Sequence, residues 1–131
     1  MSPRFQNIGK CVLAAYIAAI LYLCLASWQG IPGMWKTFLG IQMDKVFHFL
    51  MYLPYPFLAF WAFYKGKDGG LFLLKVLLVG MAYGGAVELM QALFTDSRSA
   101  EWGDWLANTA GMGGSALLIG LGLIIYRRRK K

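Results

Sequence analysis

The stretch LFLLKVLLVGMAYGGAVELMQALF, residues 71–94, decides the fold class. As an α-helix it would extend about 36 Å, enough to cross the ~30 Å hydrocarbon core of a bilayer. Inside that core the backbone has no water to bond to, so a single spanning segment has to be helical. Its only charged residues are Lys75 near the start and Glu88 near the end. Three further apolar runs share this character, at about 11–28, 46–64 and 105–126. Lys65–Gly70 is short and polar, so the second and third runs form a tight antiparallel hairpin. Gln29–Lys45, with Gly30, Pro32 and Gly33, reads as a loop, and so does Thr95–Asp104, with Asp96, Arg98 and Glu101. The expectation is an all-α membrane protein: one domain over residues 1–131, built as a bundle of four transmembrane helices.

Composition agrees. The 131 residues are 59% hydrophobic, too apolar for an ordinary soluble domain of this size. The net charge of +7 does not describe a nucleic-acid surface, because Arg127-Arg128-Arg129-Lys130-Lys131 directly follow an apolar run. That pattern suits an anchor at a membrane face, and nucleic acid is set aside as a partner. With four spans both termini share a side, which carries Arg4, Lys10, Lys65, Lys67 and the terminal basic run. The other side has only Lys36, Lys45 and Arg98. The positive-inside rule then places both termini in the cytoplasm, as in a multi-pass protein of the cytoplasmic (inner) membrane. The first run is longer than a signal-peptide core and lacks a convincing small-residue cleavage site, so it reads as a retained helix. Cys11 and Cys24 are thirteen residues apart on that helix and point to nearly opposite faces, so they do not pair.

The polar residues inside these runs lie near the ends facing away from the termini. Asp44, His48 and Tyr52 follow i, i+4, i+8 spacing and share a helix face. Asp44, at a helix start, also fits a plain role as partner of the helix dipole. His48 is the only histidine of the chain and titrates near neutrality when unperturbed. Pro54 and Pro56 should kink this helix. Glu88 lies on one stripe with Gly80 and Gly84, with Gln91 a turn beyond, and it has to face protein, a countercharge or a polar cavity. Asp104, Asn108, Gly111 and Ser115 form a stripe on the fourth run, and Arg98 is the natural countercharge for Glu88, Asp104 or an anionic ligand.

Together they make a candidate polar site at the outer leaflet. His48, Glu88 and Asp104 are the acid–base candidates, and Asp44, Lys45, Tyr52, Gln91, Arg98, Asn108 and Gly111 the candidates for binding. His48, Glu88 and Asp104 are ligand types for a metal, but the single histidine and the lack of a paired ligand motif argue against one, and neither a metal nor another cofactor is assigned. The plain reading of the same residues is an internal network that fixes helix register.

The ordered set Asp44-Lys45-x-x-His48-Phe49-x-x-Tyr52, Glu88-x-x-Gln91, Arg98 and Asp104-x-x-x-Asn108-x-x-Gly111 resembles the VanZ-like family of small bacterial membrane proteins. The resemblance covers roughly Asp44 to Gly114, with agreeing hydropathy over the whole chain. The family often has a proline between the glutamine and arginine positions, where this chain reads Ala92-Leu93-Phe94-Thr95-Asp96-Ser97. The resemblance implies a cell-envelope setting, since the family's namesake is associated with low-level teicoplanin resistance, and it implies no reaction. Two function classes follow. In one, the cluster binds or acts on a membrane lipid, an anionic lipid, a lipid-linked precursor or a lipoglycopeptide. In the other, the chain is a structural subunit of a larger membrane complex or homo-oligomer.

Overall fold

The computed structural model describes residues 2–25, 37–38, 40–94 and 101–130. In chain order the described elements are α1 (Pro3–Leu25), β1 (Thr37–Phe38), β2 (Ile41–Gln42), α2 (Met43–Tyr52), α3 (Tyr55–Phe63), α4 (Gly69–Phe94) and α5 (Trp102–Arg128). The fold is all-α, with four helical segments long and apolar enough to cross a membrane: α1, α2 with α3, α4, and α5. Among the described residues the strand structure is a minimal antiparallel pairing of Thr37 with Gln42 and Phe38 with Ile41. It lies in the segment read from sequence as a loop. Gly40 closes it at φ +78°, a conformation that only glycine adopts without strain.

The second span is two helices. Pro54 and Pro56 carry no N–H, so the carbonyls of Leu50 and Tyr52 lose their helical partners and the chain turns at Leu53–Pro54. The break stays nearly helical: Leu53 N–H bonds Phe49 O at 3.1 Å, and Leu58 N–H bonds Pro54 O at 3.1 Å. Pro54 and Pro56 therefore sit at the start of α3, where a missing N–H costs least. Beside the break, the Tyr16 hydroxyl of α1 donates to the Met51 carbonyl.

Packing places α2 mainly on α5, α4 on α5, and α1 on α3. The interior is small: Ile20 and Cys24 of α1 meet Tyr52, Ala59, Val87 and Met112. Large apolar side chains such as Leu78, Val79, Leu89 and Leu117 point outward, as a bundle solvated by lipid requires. Polar side chains pin helix to helix. Tyr83 Oη donates to Ile17 O at 2.7 Å, Gln91 Nε2 to Cys24 O at 2.7 Å, and Trp105 Nε1 to Met81 O at 3.0 Å. In lipid such bonds are worth about 0.6 kcal/mol each on average.

The bundle has two chemically different ends. At one, Gln6 Nε2 donates to Tyr64 O at 3.0 Å and a Cβ on Gly69 would lie 3.8 Å from the Arg127 guanidinium. The start of α1, the α3–α4 turn and the end of α5 therefore meet there, with Arg4, Lys10, Lys65, Lys67 and Arg127 around them. The opposite end gathers the start of α2, the end of α4 and the start of α5, which carry the polar residues picked out above.

Candidate functional site

His48 is the centre of that polar end. One turn into α2 and only 1% exposed, it reaches across to α4 and α5. Its Nδ1 lies 3.1 Å from Asn108 Oδ1 and 3.7 Å from Glu88 Oε1. Its Nε2 lies 3.7 Å from Asp104 Oδ2 and 4.0 Å from Asp44 Oδ1. The i, i+4 spacing brings Asp44 to His48, the α2–α5 crossing brings Asn108 and Asp104, and α4 supplies Glu88.

That crossing depends on Gly111. A Cβ there would sit 2.3 Å from the backbone oxygen of Phe49 and 3.3 Å from the nitrogen of Leu53. The two backbones touch at this point, which sets the distance between His48 and Asn108, three residues before Gly111. Gly84 does something different on α4. A Cβ there would meet Asn108 Nδ2 and Tyr52 Cε1 at 3.6 Å, and the Tyr52 hydroxyl at 3.7 Å, ordinary contact distances.

Lys45 forms the rim. Its ammonium lies 3.1 Å from Glu101 Oε2 and 3.3 Å from Asp104 Oδ1. Asp104, with its side chain 9% exposed, thus gives one oxygen to Lys45 and turns the other toward His48. Glu101 is extended at the start of α5 and makes no cap with its side chain, which goes to Lys45 instead. Gly103 lets the lysine through, since a Cβ there would lie 2.5 Å from Lys45 Cε. Gly103→Ala should push this flexible side chain off its carboxylates and cost about 0.5–1 kcal/mol, as expected for a partly exposed ion pair. The check is a loss of thermal stability in detergent that shrinks as salt is raised.

Several buried polar atoms make no hydrogen bond among the described residues: both Glu88 carboxylate oxygens, the Tyr52 hydroxyl and Asn108 Nδ2. The backbone amide of Glu101 is close enough to act electrostatically on Glu88, yet no bond of normal geometry forms. Unsatisfied groups of this kind are rare in native interiors, because each costs of order 1–3 kcal/mol. Glu88 and Asn108 adjoin the His48 imidazole and the Tyr52 hydroxyl lies with Asn108 beside Gly84, whereas a further such atom, Trp61 Nε1, lies apart from them against α1. Chemically, the cluster presents a histidine with carboxylates facing both ring nitrogens, an arrangement able to hold a cation or to carry a proton.

The structure brings together Asp44, Lys45, His48, Tyr52, Glu88, Asp104, Asn108 and Gly111 of the expected site. It gives two of them unexpected partners. Lys45, a candidate for binding, contacts Glu101 and Asp104, and Gln91 reaches the Cys24 carbonyl of α1. Arg98 lies outside the described residues. Glu101 and Gly103 were missed from sequence. Glu101 could have been found as a carboxylate three residues before Asp104, whereas nothing in the sequence says that a lysine side chain crosses Gly103.

Neither a curated protein nor a solved structure matches the chain. A family model does, over residues 3–126, and thus through every helix of the bundle and all of the motifs quoted above: the chain belongs to the VanZ/LLP1 family of membrane proteins.

Proposed function

We propose that this protein binds or acts on the polar headgroup of an amphiphile at the outer leaflet of the bacterial cytoplasmic membrane. The candidate ligands are a lipid, a lipid-linked precursor or a lipoglycopeptide. The observation that carries the reading is the set of unpartnered buried groups around His48: the Glu88 carboxylate, the Tyr52 hydroxyl and Asn108 Nδ2. A donor and acceptor set of this kind suits a ligand with hydroxyl or amide groups, whose bonds would remove the cost of burying them. The outer-leaflet position is supported by the basic residues at the opposite end of the bundle.

A second reading, an internal network in a structural subunit, is favoured by the bonds that tie α2 to α5 through His48–Asn108 and Lys45–Asp104. Gly84→Ala separates the two. The added methyl makes only ordinary contacts, yet it takes room beside Tyr52 Oη and Asn108 Nδ2. With Glu88→Gln it should keep the thermal midpoint and lose a specific co-purifying lipid, read by mass spectrometry of the purified protein. Lower folded yield in both variants, with no lipid enriched in wild type, would instead leave the packing network as the answer.

A further inference from the structure

We infer that Asp44, His48 and Asp104 form a binding site for a first-row transition-metal dication of the zinc class. The inference deepens the headgroup reading, on which it rests for the ion's role: three protein ligands leave a coordination position for a phosphate, hydroxyl or water oxygen.

The geometry at the two ring nitrogens carries it. Both atoms facing His48 Nδ1 are acceptors, Asn108 Oδ1 at 3.1 Å and Glu88 Oε1 at 3.7 Å, so Nδ1 is the nitrogen that bears the hydrogen. In the neutral imidazole Nε2 then turns its lone pair toward Asp104 Oδ2 at 3.7 Å and Asp44 Oδ1 at 4.0 Å. A lone pair opposite two carboxylate oxygens is repulsive unless the ring is protonated at Nε2 or a cation lies between them. The gap is wider than an N–H···O bond of about 2.7–3.2 Å, so a protonated ring would meet these oxygens by charge alone. The gap is close to what a metal needs: bonds of ~2.0–2.1 Å place ligand atoms about 3.3 Å apart in a tetrahedral site. The three ligand atoms all lie within 4.8 Å of one another, so small side-chain rotations would complete the shell.

Glu88 is the independent observation. It is 5% exposed, neither oxygen makes a hydrogen bond among the described residues, and Oε1 is aimed at the far nitrogen of the same imidazole. An acceptor on the non-ligating nitrogen is the usual companion of a metal-bound histidine; here Asn108 Oδ1 holds that place at 3.1 Å, with the Glu88 carboxylate behind it at 3.7 Å adding negative charge. Charge points the same way. Asp44, Glu88, Glu101 and Asp104 crowd this end, where Lys45 contacts Glu101 and Asp104. An imidazole ligand argues against calcium or magnesium, which take all-oxygen shells, and for zinc, manganese or ferrous iron. The Asp44 side chain, 42% exposed, provides an entry from the membrane face.

The test uses the full chain in lipid nanodiscs, stripped with a chelator and titrated calorimetrically with zinc chloride. The expected result is one ion per chain, with Asp44→Asn and Glu88→Gln each weakening binding by ~10-fold or more. Asp44 is partly exposed, so its variant should fold even where His48→Gln does not. Cys11→Ser and Cys24→Ala should leave the affinity unchanged, and cobalt should give the visible spectrum of a nitrogen–oxygen site. Absence of saturable zinc binding, or binding indifferent to Asp44 and lost with a cysteine, overturns the inference. Lipid retention is measured in parallel with chelator present. A lipid kept by a protein that binds no zinc overturns the metal site and leaves the headgroup reading standing. Zinc bound with no specific lipid supports the metal site and removes that reading.

Discussion

Gly111→Ala is expected to destabilise the bundle by about 2 kcal/mol, despite replacing glycine with the best helix former. The intrinsic gain from alanine in a helix is up to ~1 kcal/mol. Against it stands a methyl 2.3 Å from the Phe49 carbonyl oxygen, with backbone rather than a side-chain tip in the way. A side chain could rotate aside; here α2 and α5 have to separate or shift in register. Overpacking of this kind costs roughly 1–3 kcal/mol where neighbours can relax, and this contact belongs at the top of that range. Gly113→Ala and Gly114→Ala are the controls on the same helix, since a Cβ at either position meets nothing within 4 Å. They should unfold at or slightly above the wild-type midpoint. Reversible unfolding in mixed detergent reads all three variants. An unchanged Gly111→Ala would mean that α2 and α5 do not touch here, and the site built on that contact would go with it.

His48→Ala should have the larger effect, a loss of about 3 kcal/mol. It leaves Asn108 Oδ1 without its 3.1 Å partner in the interior and removes the group standing between Glu88 and Asp104. An orphaned buried acceptor costs of order 1–3 kcal/mol, and breaking a buried charged cluster from one side can cost 3–5 kcal/mol. A double-mutant cycle with Glu88→Gln distinguishes loss of the imidazole's electrostatic role from loss of its volume. Gln in place of Glu88 removes a carboxylate that the missing ring no longer faces. The double variant should therefore recover part of the loss, with a coupling energy of about 1–3 kcal/mol. Additivity within ~0.5 kcal/mol would show that His48 and Glu88 do not sense each other, contrary to their 3.7 Å approach.

The site was legible in sequence as far as helical periodicity reaches. Asp44, His48 and Tyr52 share a face because four residues make slightly more than one turn, and Asp104, Asn108 and Gly111 share one for the same reason. His48 and Tyr52 are indeed both 1% exposed, and Asn108 is 1% exposed. The two prolines likewise marked the break that the structure places at Leu53–Pro54. Partner choice was less legible. Lys45 and Glu101 are fifty-six residues apart, and their 3.1 Å pairing follows from the missing side chain at Gly103 as much as from opposite charge. Gln91 has the spacing to join Glu88, yet its amide reaches the Cys24 carbonyl because α1 packs against that side of α4.

Sequence alone determined that the chain has four segments long and apolar enough to cross a membrane and that its polar residues gather at one end. Both are local properties: each span has to satisfy its own backbone and stay apolar over ~30 Å, and span count with loop length then assigns every residue to an end. Only the tertiary structure decided which carboxylate faces which nitrogen of His48, and that Asp44 rather than Glu88 joins Asp104 on the Nε2 side. Those relations depend on helix rotation and on tenths of an ångström at the α2–α5 crossing. They are set by a backbone contact at Gly111, between residues about sixty positions apart, and no pattern along the chain encodes that distance.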